Sequence, residues 1–358
     1  MPQDSRNPLK VDIPRAAAHP KHHVWLYAGV AVLAVAVIAG VYLVYPFLHA
    51  RSAQKKIYHV GILSGLDIFL PTADGFKQKM TELGYVEGKN ITYDLQKTNF
   101  EPAKEQDILK KFVEDNDDLI LTFPTEVSLA AKAATKGTDI PVVFADSYTD
   151  GVELIDSVSK PGGNITGVRF PGAELSIKRL QYIHQLLPSA KRVWVAYQKD
   201  YPPVPPMMEK VRAAAAGMGI MLVEVPASGP EDITADLEAR SKAKDIGIDA
   251  ILEVAEPLVI QSGPFAEIAK FADTHKLMIS DSALMPGDTG PLLSDFTDSI
   301  AVGKQVAVLA DKVFKGIPAG NIPVVSPEDY LKVNYRVAQK IGLPLSQEFL
   351  SNATDIIR

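Results

Sequence analysis

Ten polar or aromatic residues follow closely after short apolar runs of the sequence, and their types suit the binding of a small polar molecule. Hydroxyl and carboxylate groups can pair with the charged ends of such a molecule, and aromatic rings can cover its apolar part. The ten candidates are Ser64, Asp67, Phe69, Thr125, Glu126, Asp146, Tyr197, Glu256, Asp281 and Ser282. Each of them alone could be a helix cap or a loop residue, so they form a site only if the fold brings them together.

The chemistry of the candidates matches a ligand that carries an acid at one end and a base at the other. Ser64 and Thr125 offer hydroxyl groups, and Thr125 stands at a predicted helix N-terminus, whose free N–H groups favour a carboxylate. Asp146 or Glu256 could receive an ammonium group, because a buried unpaired charge is costly. These residue types predict an aromatic or other apolar amino acid, while a nucleobase, a peptide or a sugar would satisfy the same set of groups.

Sequence motifs for catalysis and for cofactor binding are absent. The chain has no G-x-S-x-G elbow, H-E-x-x-H pair, P-loop or dinucleotide glycine motif. It has no cysteine, which excludes thiolate catalysis, cysteine-ligated zinc and disulfides. We therefore expect a protein that binds a small molecule, is not an enzyme and holds no cofactor or metal. The net charge of −6 gives no basis for a nucleic-acid partner.

The elements that must position the candidates alternate along the chain. From residue 57 onward, short apolar runs alternate with amphipathic stretches, which predicts βα units and parallel sheets. The predicted strands cover residues 57–63, 91–95, 119–123, 140–144, 193–197, 221–225, 250–254, 278–280 and 330–333. In such folds a ligand binds beyond the carboxyl ends of the strands, and the candidates lie there.

An uncharged apolar segment at residues 24–48 precedes this alternating pattern. As a helix it would be about 37 Å long, which is enough to cross a bilayer. It predicts a single-pass anchor in the cytoplasmic membrane, with residues 1–23 as a cytoplasmic head and residues 49–56 as a tether. Two alternatives remain open: a long signal peptide cleaved after Ala50 or Ala53, and a cytoplasmic domain tethered by its N-terminus.

Six stretches of the sequence together resemble the family of substrate-binding proteins of ABC importers that includes tryptophan and tyrosine binders. They are D-G-F-K-Q-K-M-T-E-L-G-Y-V-E-G-K-N-I-T (74–92), A-A-K-A-A-T-K (130–136), I-P-V-V-F-A (140–145), K-P-G-G-N-I-T-G-V (160–168), K-R-L-Q-Y-I-H-Q-L-L-P-S-A-K-R-V (178–193) and N-Y-R-V-A-Q-K-I-G-L (334–343). The resemblance covers about residues 57–358. Two stretches near the expected pocket depart from the family pattern. Asp146-Ser147-Tyr148-Thr149 stands where family members often carry a D-P-V segment, and Leu293-Ser294-Asp295-Phe296 stands in place of the usual Tyr-Gly segment.

The resemblance implies the type I periplasmic-binding fold, with two Rossmann-like α/β lobes that follow one transmembrane helix. Lobe 1 is expected to hold residues 57–167 and 297–325, and lobe 2 residues 168–296 and 326–358. The implied function is the capture of a small molecule between two closing lobes outside the cytoplasm, in the periplasm or at the cell surface, and its delivery to an ABC permease. The alternative is a ligand-sensing domain of the same fold that signals to a membrane partner.

Overall fold

The computed structural model of the chain describes residues 56–259, 262–284 and 287–358. The predicted head and anchor, and all of the predicted tether except residue 56, lie outside the described residues. Within the described ranges, no helix combines the length and the apolar composition that a membrane span requires.

The first sheet, as far as the structure describes it, contains five parallel strands in the order β2-β1-β3-β4-β5. In chain order its elements are β1 (Tyr58–Ser64), α1 (Leu70–Glu82), β2 (Ile91–Lys97), α2 (Pro102–Glu114), β3 (Leu119–Phe123), α3 (Thr125–Ala134), β4 (Val142–Ser147) and β5 (Ile165–Arg169). β3 lies at the centre of the sheet, and all five of its residues are buried. Four of the five residues are apolar, as suits a parallel strand whose two faces are covered by helices, and Thr122 is hydrogen-bonded to Ser128.

The second sheet has the order β12-β11-β10-β9-β8-β6-β7 in the described part of the chain. Its elements in chain order begin with α4 (Gly172–Leu186), β6 (Arg192–Gln198), α5 (Val204–Gly217), β7 (Met221–Ala227), α6 (Pro230–Lys242), β8 (Ala250–Leu252), α7 (Ser262–His275), β9 (Met278–Asp281) and β10 (Leu293–Thr297). Pairs among β6 to β10 are parallel, whereas β11 runs antiparallel to β10.

The last part of the chain contributes elements to both halves of the fold. It comprises α8 (Ser299–Phe314), β11 (Asp329–Asn334), α9 (Tyr335–Ile341), α10 (Gln347–Ser351) and β12 (Asp355–Ile357). Helix α8 packs on α1 beside the first sheet, and β11 and β12 complete the second sheet. We call the first sheet with α1, α2, α3 and α8 lobe 1, and the second sheet with the remaining helices lobe 2. The structure therefore confirms the prediction of two α/β lobes built on mainly parallel sheets.

Three strands of the structure are not predicted by the sequence pattern: β5, β10 and β12. Gly167 interrupts the apolar sequence pattern of β5, and β12 has only three residues at the edge of its sheet. β10 carries Ser294 and Asp295 at its centre, both buried, so it does not read as an apolar run. A search for apolar runs overlooks strands whose buried positions are polar.

Two glycines allow α1 and α8 to approach each other closely. A Cβ atom at Gly75 would lie 2.2 Å from the carbonyl oxygen of Ile300, and one at Gly303 would lie 2.1 Å from that of Thr72. Backbone atoms at these distances cannot move aside without shifting a helix. The packing of α8 against lobe 1 therefore depends on the absence of side chains at both positions.

We predict that Gly75→Ala destabilises the protein by about 1–3 kcal/mol, because the added methyl group forces the two helices apart. The measurement is urea denaturation followed by circular dichroism. Gly217→Ala is the control: Gly217 ends α5, and a Cβ there would meet no described atom within 4 Å. That substitution should be neutral or slightly stabilising. Equal effects of the two substitutions would contradict the proposed close packing.

Candidate functional site

The two lobes meet at the carboxyl ends of their strands, where Tyr148 crosses from one lobe to the other. Tyr148 follows β4 of lobe 1, and its hydroxyl donates a hydrogen bond to the carbonyl of Ala255, which follows β8 of lobe 2. Its buried ring lies edge-on to Phe170 and Tyr201, at centroid distances of 5.2 Å and 6.1 Å. A Cβ at Gly172 would lie 2.5 Å from the ring, so the start of α4 packs directly on it.

Two lobe 1 candidates hold hydroxyl groups that already have partners within the protein. The buried Ser64 hydroxyl donates to the carbonyl of Leu66 at 2.7 Å. The Thr125 hydroxyl, at the start of α3, accepts from the backbone N–H of Tyr148 at 3.0 Å. Thr125 therefore lies at the contact between the lobes. Its hydroxyl helps to hold the backbone of Tyr148, whose side chain crosses that contact.

Other lobe 1 candidates differ in how close they lie to this contact. Glu126 lies near Tyr201 of lobe 2. Burial raises the pKa of the Tyr201 hydroxyl, and the negative charge of the Glu126 carboxylate raises it further. Asp67 is exposed and pairs with Lys97 at 2.5 Å. Phe69 is partly buried, with its ring centroid 6.3 Å from that of Phe123.

Asp146 combines an unusual backbone with an unusual pKa. Its φ of 50° lies in the left-handed region, which aspartate and asparagine tolerate better than most residues. Its Oδ2 accepts a hydrogen bond from the Thr72 hydroxyl at 2.9 Å. Burial raises the pKa of the carboxyl to about 6, although the hydrogen bond from Thr72 lowers it. Asp146 is therefore a group that changes charge just below neutral pH.

The lobe 2 candidates are mostly engaged by neighbouring groups. The Tyr197 hydroxyl donates to Glu224 Oε2 at 2.6 Å, and Glu224 also pairs with Arg212 at 2.7 Å. Glu256 accepts from the backbone N–H groups of Leu258 and Val259, both at 2.9 Å. The Tyr197 hydroxyl is thus directed to an ion pair between β7 and α5, and Glu256 accepts from the backbone of its own turn.

Asp281 is the remaining candidate of lobe 2 together with the adjacent Ser282. The Asp281 carboxylate accepts from the backbone N–H of Ser282 and from its hydroxyl, the latter at 3.1 Å. Burial raises the pKa of Asp281, while the guanidinium of Arg179 acts in the opposite direction. Asp281 thus belongs to a buried group of charges that the sequence pattern does not reveal as a group.

Arg179 of α4 is the centre of this buried charged group. Its Nη1 donates to the carbonyl of Glu253 at 3.1 Å, and its Nε and Nη2 donate to the carbonyl of Asp295 at 3.2 Å and 2.6 Å. The exposed fractions are 1% for Arg179, 2% for Glu253, 3% for Asp281 and 0% for Asp295. We call Arg179, Glu253, Asp281 and Asp295 the buried charge cluster.

Burial sets the protonation of this cluster. It raises the pKa of Glu253 well above its ordinary value, and Asp281 raises it further, whereas Arg179 lowers it. It also raises the pKa of Asp295 to about 6, against the effect of Lys178, whose Nζ lies 3.2 Å from Asp295 Oδ1. Glu253 and Asp295 are not among the predicted site residues. The one sequence signal for Asp295 is the departure from the family pattern at 293–296.

We predict that Asp146→Asn raises the melting temperature by a few degrees at pH 7.5. A carboxyl whose pKa is about 6 in the folded state and about 3.9 in the unfolded state makes stability fall as pH rises through that interval. Asparagine removes this cost, keeps an acceptor for Thr72 and tolerates the positive φ. The gain should therefore disappear at or below about pH 4.

The measurement for Asp146→Asn is thermal unfolding at pH 7.5 and at about pH 4, with Asp67→Asn as a control at an exposed, ion-paired carboxylate. The control should show no comparable gain at the higher pH, because exposed ion pairs contribute little to stability. If Asp146→Asn changes the melting temperature equally at both pH values, burial of its charge is not the cause.

Comparisons with known proteins agree with this architecture. A family model described as ABC transporter substrate binding protein matches residues 61–357. The tyrosine-binding protein of Clostridioides difficile (strain R20291) is 30% identical over 287 residues, which are 78% of this chain and 79% of that protein.

Solved structures show the same fold. The ABC domain from Streptococcus pneumonia in complex with L-Trp has a TM-score of 0.72 and 22% identity, and it covers 84% of this chain and 100% of that chain. A ligand-free, open substrate-binding protein with adhesive properties from Clostridium difficile has a TM-score of 0.69 and 22% identity, over 84% of this chain and 99% of that chain. With most of its length matched by the family model, the chain belongs to the ABC transporter substrate-binding protein family.

Proposed function

We propose that this protein is the extracytoplasmic solute-binding component of an ABC importer, and that it captures an aromatic or other apolar amino acid between its two lobes. The observation that carries the proposal is the meeting of the two lobes at the carboxyl ends of their strands, through Tyr148 and Ala255. Ligands of open α/β sheets bind at this edge. The names of the relatives support an amino acid, since one is a tyrosine-binding protein and another was solved with L-Trp.

The proposed mechanism is reversible capture, not catalysis. A ligand would bind between the lobes, and their hinge closure would enclose it until the permease receives it. We propose the lobe boundaries residues 57–167 with 297–325 and residues 168–296 with 326–358, and the assignment of strands to the two sheets supports them to within two residues, since β5 ends at Arg169 and β10 at Thr297. Closure needs no covalent step and no cofactor.

We propose the ten sequence candidates as the surroundings of the ligand, with different weights. Thr125, Glu126 and Asp146 lie next to the segment that joins the lobes, and Asp281 belongs to the buried charge cluster. The remaining six candidates have a weaker claim, because the contacts described above do not connect them with Tyr148, with the rings that pack on it or with Arg179. These are Ser64, Asp67, Phe69, Tyr197, Glu256 and Ser282.

We predict that L-tryptophan or L-tyrosine raises the melting temperature of the full-length chain, because a ligand that binds only the folded state stabilises it. The gain would be about 2.7 kcal/mol at a ligand concentration of 100 times the dissociation constant. The measurement is a thermal-shift screen that also contains L-leucine, D-tagatose and myo-inositol. A shift with a sugar or polyol and none with any amino acid would contradict the amino-acid assignment, and turnover of a bound ligand would contradict the absence of catalysis.

The importer role is tested with the ligand that this screen identifies. Deletion of the gene should lower the uptake of that ligand by intact cells, and re-expression should restore it. The alternative is a ligand-sensing domain that signals to a membrane partner. Normal uptake after deletion, together with a lost cellular response to the ligand, would favour the sensor over the importer.

We also propose that residues 24–48 anchor the protein by a single span on the outer side of the cytoplasmic membrane. The support is the uncharged apolar length of this segment and the absence of cysteine for lipid attachment. A tether would raise the concentration of the lobes near a permease in the same membrane.

We predict that the mature protein keeps residues 24–48 and fractionates with membranes, because the segment is longer than the usual apolar core of a signal peptide. Mass spectrometry of the mature N-terminus is the measurement. A soluble chain that begins near Arg51 or Gln54 would show that the segment is a cleaved signal peptide.

A further inference from the structure

We propose that a loop of lobe 1, residues 148–152, holds the two lobes together in the absence of a ligand, so that a ligand can enter only while the lobes open transiently. We call these residues, which follow β4, the bridging loop. This role goes beyond the proposed function, because it concerns the resting state of the protein. Only the kinetic part of the test below depends on the identity of the ligand.

The bridging loop leaves the core of lobe 1, enters that of lobe 2 and returns. Tyr148 is buried in the apolar core of lobe 2, together with Ala173 and Met207. Val152 packs against the cores of both lobes, and Leu154 is buried in the core of lobe 1. Because moving the lobes apart here would expose apolar side chains to water, this packing favours the closed arrangement.

A stiff segment of lobe 2 receives the bridging loop. Residues 201–206, Tyr-Pro-Pro-Val-Pro-Pro, contain four prolines, each of which fixes one backbone φ angle. A Cβ atom at Gly151 would lie 2.5 Å from the carbonyl oxygen of Pro202. Beside this contact, Lys210 of α5 donates to Asp150 Oδ2 at 2.5 Å. The bridging loop and the proline-rich segment therefore fit each other with no space for a side chain at Gly151.

Tyr201 extends the contact from the proline-rich segment to α3 of lobe 1. Its ring lies edge-on to that of Tyr148, and its side chain lies beside Thr125 and Glu126 at the start of α3. The hydroxyl of Tyr148 donates to the carbonyl of Ala255 in lobe 2. All partners in these contacts are residues of the chain itself, so the contacts can form before a ligand binds.

The bridging loop should affect the rates of binding more than the affinity. Contacts between the lobes stabilise the closed arrangement of the empty protein and of the ligand complex alike. When most empty molecules are closed, the association rate is proportional to the small open fraction. Weakening the contacts then speeds both the entry and the release of the ligand. The affinity stays nearly the same, because both closed states lose the same contact.

Gly151→Ala is the main variant, because its methyl group must push the bridging loop away from the carbonyl of Pro202. Gly88→Ala is the matched control. Both glycines lie in lobe 1 with a φ of 77°, so alanine has a similar backbone cost at either, but a Cβ at Gly88 would meet no described atom within 4 Å. Tyr148→Phe is a milder second variant, which keeps the ring and removes the hydrogen bond to Ala255.

The first measurement is the distance between two spin labels, determined by pulsed electron paramagnetic resonance on the full-length chain without a ligand. The chain has no cysteine, so Glu101→Cys and Glu231→Cys provide the only labelling sites. Both positions are exposed, and they follow β2 and β7, which end the two sheets away from the strands where the chain passes between the lobes. The wild type should show one short distance that L-tyrosine leaves unchanged. Gly151→Ala should add a longer distance, and Gly88→Ala should not.

The second measurement is the rate of L-tyrosine binding, followed by stopped-flow fluorescence. Tyr148→Phe should raise both the association and the dissociation rate constant by about 2- to 10-fold, the effect of losing one net hydrogen bond. The dissociation constant should change much less than either rate constant. Gly88→Ala should leave both rate constants unchanged.

Three results would overturn the role of the bridging loop. The first is a long label distance in the ligand-free wild type, which would mean that only a ligand holds the lobes together. The second is a Gly151→Ala protein with wild-type distances and rates. The third is a Tyr148→Phe protein with an unchanged association rate and a weaker affinity, because the contact would then form only in the complex.

Failure of a variant or of the proposed ligand leaves the question decidable. If Gly151→Ala does not fold, the distances and rates of Tyr148→Phe decide. If no amino acid binds, the proposed amino-acid ligand fails. The ligand-free distances of the wild type, Gly151→Ala and Gly88→Ala then decide the role of the bridging loop on their own.

Discussion

The buried guanidinium of Arg179 is the interaction on which the arrangement of lobe 2 depends. It reaches from α4 to the carbonyls of Glu253 and Asp295 and so fixes the end of β8 and the middle of β10 relative to one helix. Burial of a charged group is tolerated only when its donors are satisfied and opposite charges are near. Glu253 and Asp295 supply the carbonyls, and nearby carboxylates supply the negative charge. The same hydrogen bonds of Arg179 therefore set the geometry of the buried charge cluster and stabilise this part of the sheet.

The fold is more predictable than the cluster, because the two leave different traces in the sequence. β3 is apolar at four of its five positions, which a strand covered on both faces favours, and its one polar residue, Thr122, is hydrogen-bonded to Ser128. β10 has a buried Ser294 and a buried Asp295, so its pattern resembles a loop. Arg179 stands in an amphipathic helix, where an arginine is ordinarily on the exposed face. Arg179 acquires its place in the interior through carbonyl partners that are distant in sequence.

The sequence predicts at which edge of the sheets the candidate residues lie, but it does not predict their hydrogen-bond partners. The rule that ligands bind beyond the carboxyl ends of strands places the candidates in the loops at that edge of each sheet. It does not show that the Tyr197 hydroxyl turns to Glu224, or that Glu256 accepts from its own turn. Tyr148 reaches Ala255 across 107 positions of sequence, a contact that only the packed lobes define. Side-chain chemistry thus fixes what a residue can bind, and tertiary structure fixes what it does bind.

The contact between Tyr148 and Ala255 bears on the energetics of closure. A hydrogen bond between the lobes favours the closed arrangement whether or not a ligand is present, which lowers the fraction of binding energy that a ligand must use to close them. The ring of the same tyrosine packs edge-on against Phe170 and Tyr201, so the contact between the lobes combines one hydrogen bond with aromatic packing. On this argument Tyr148 sets how readily the lobes approach each other.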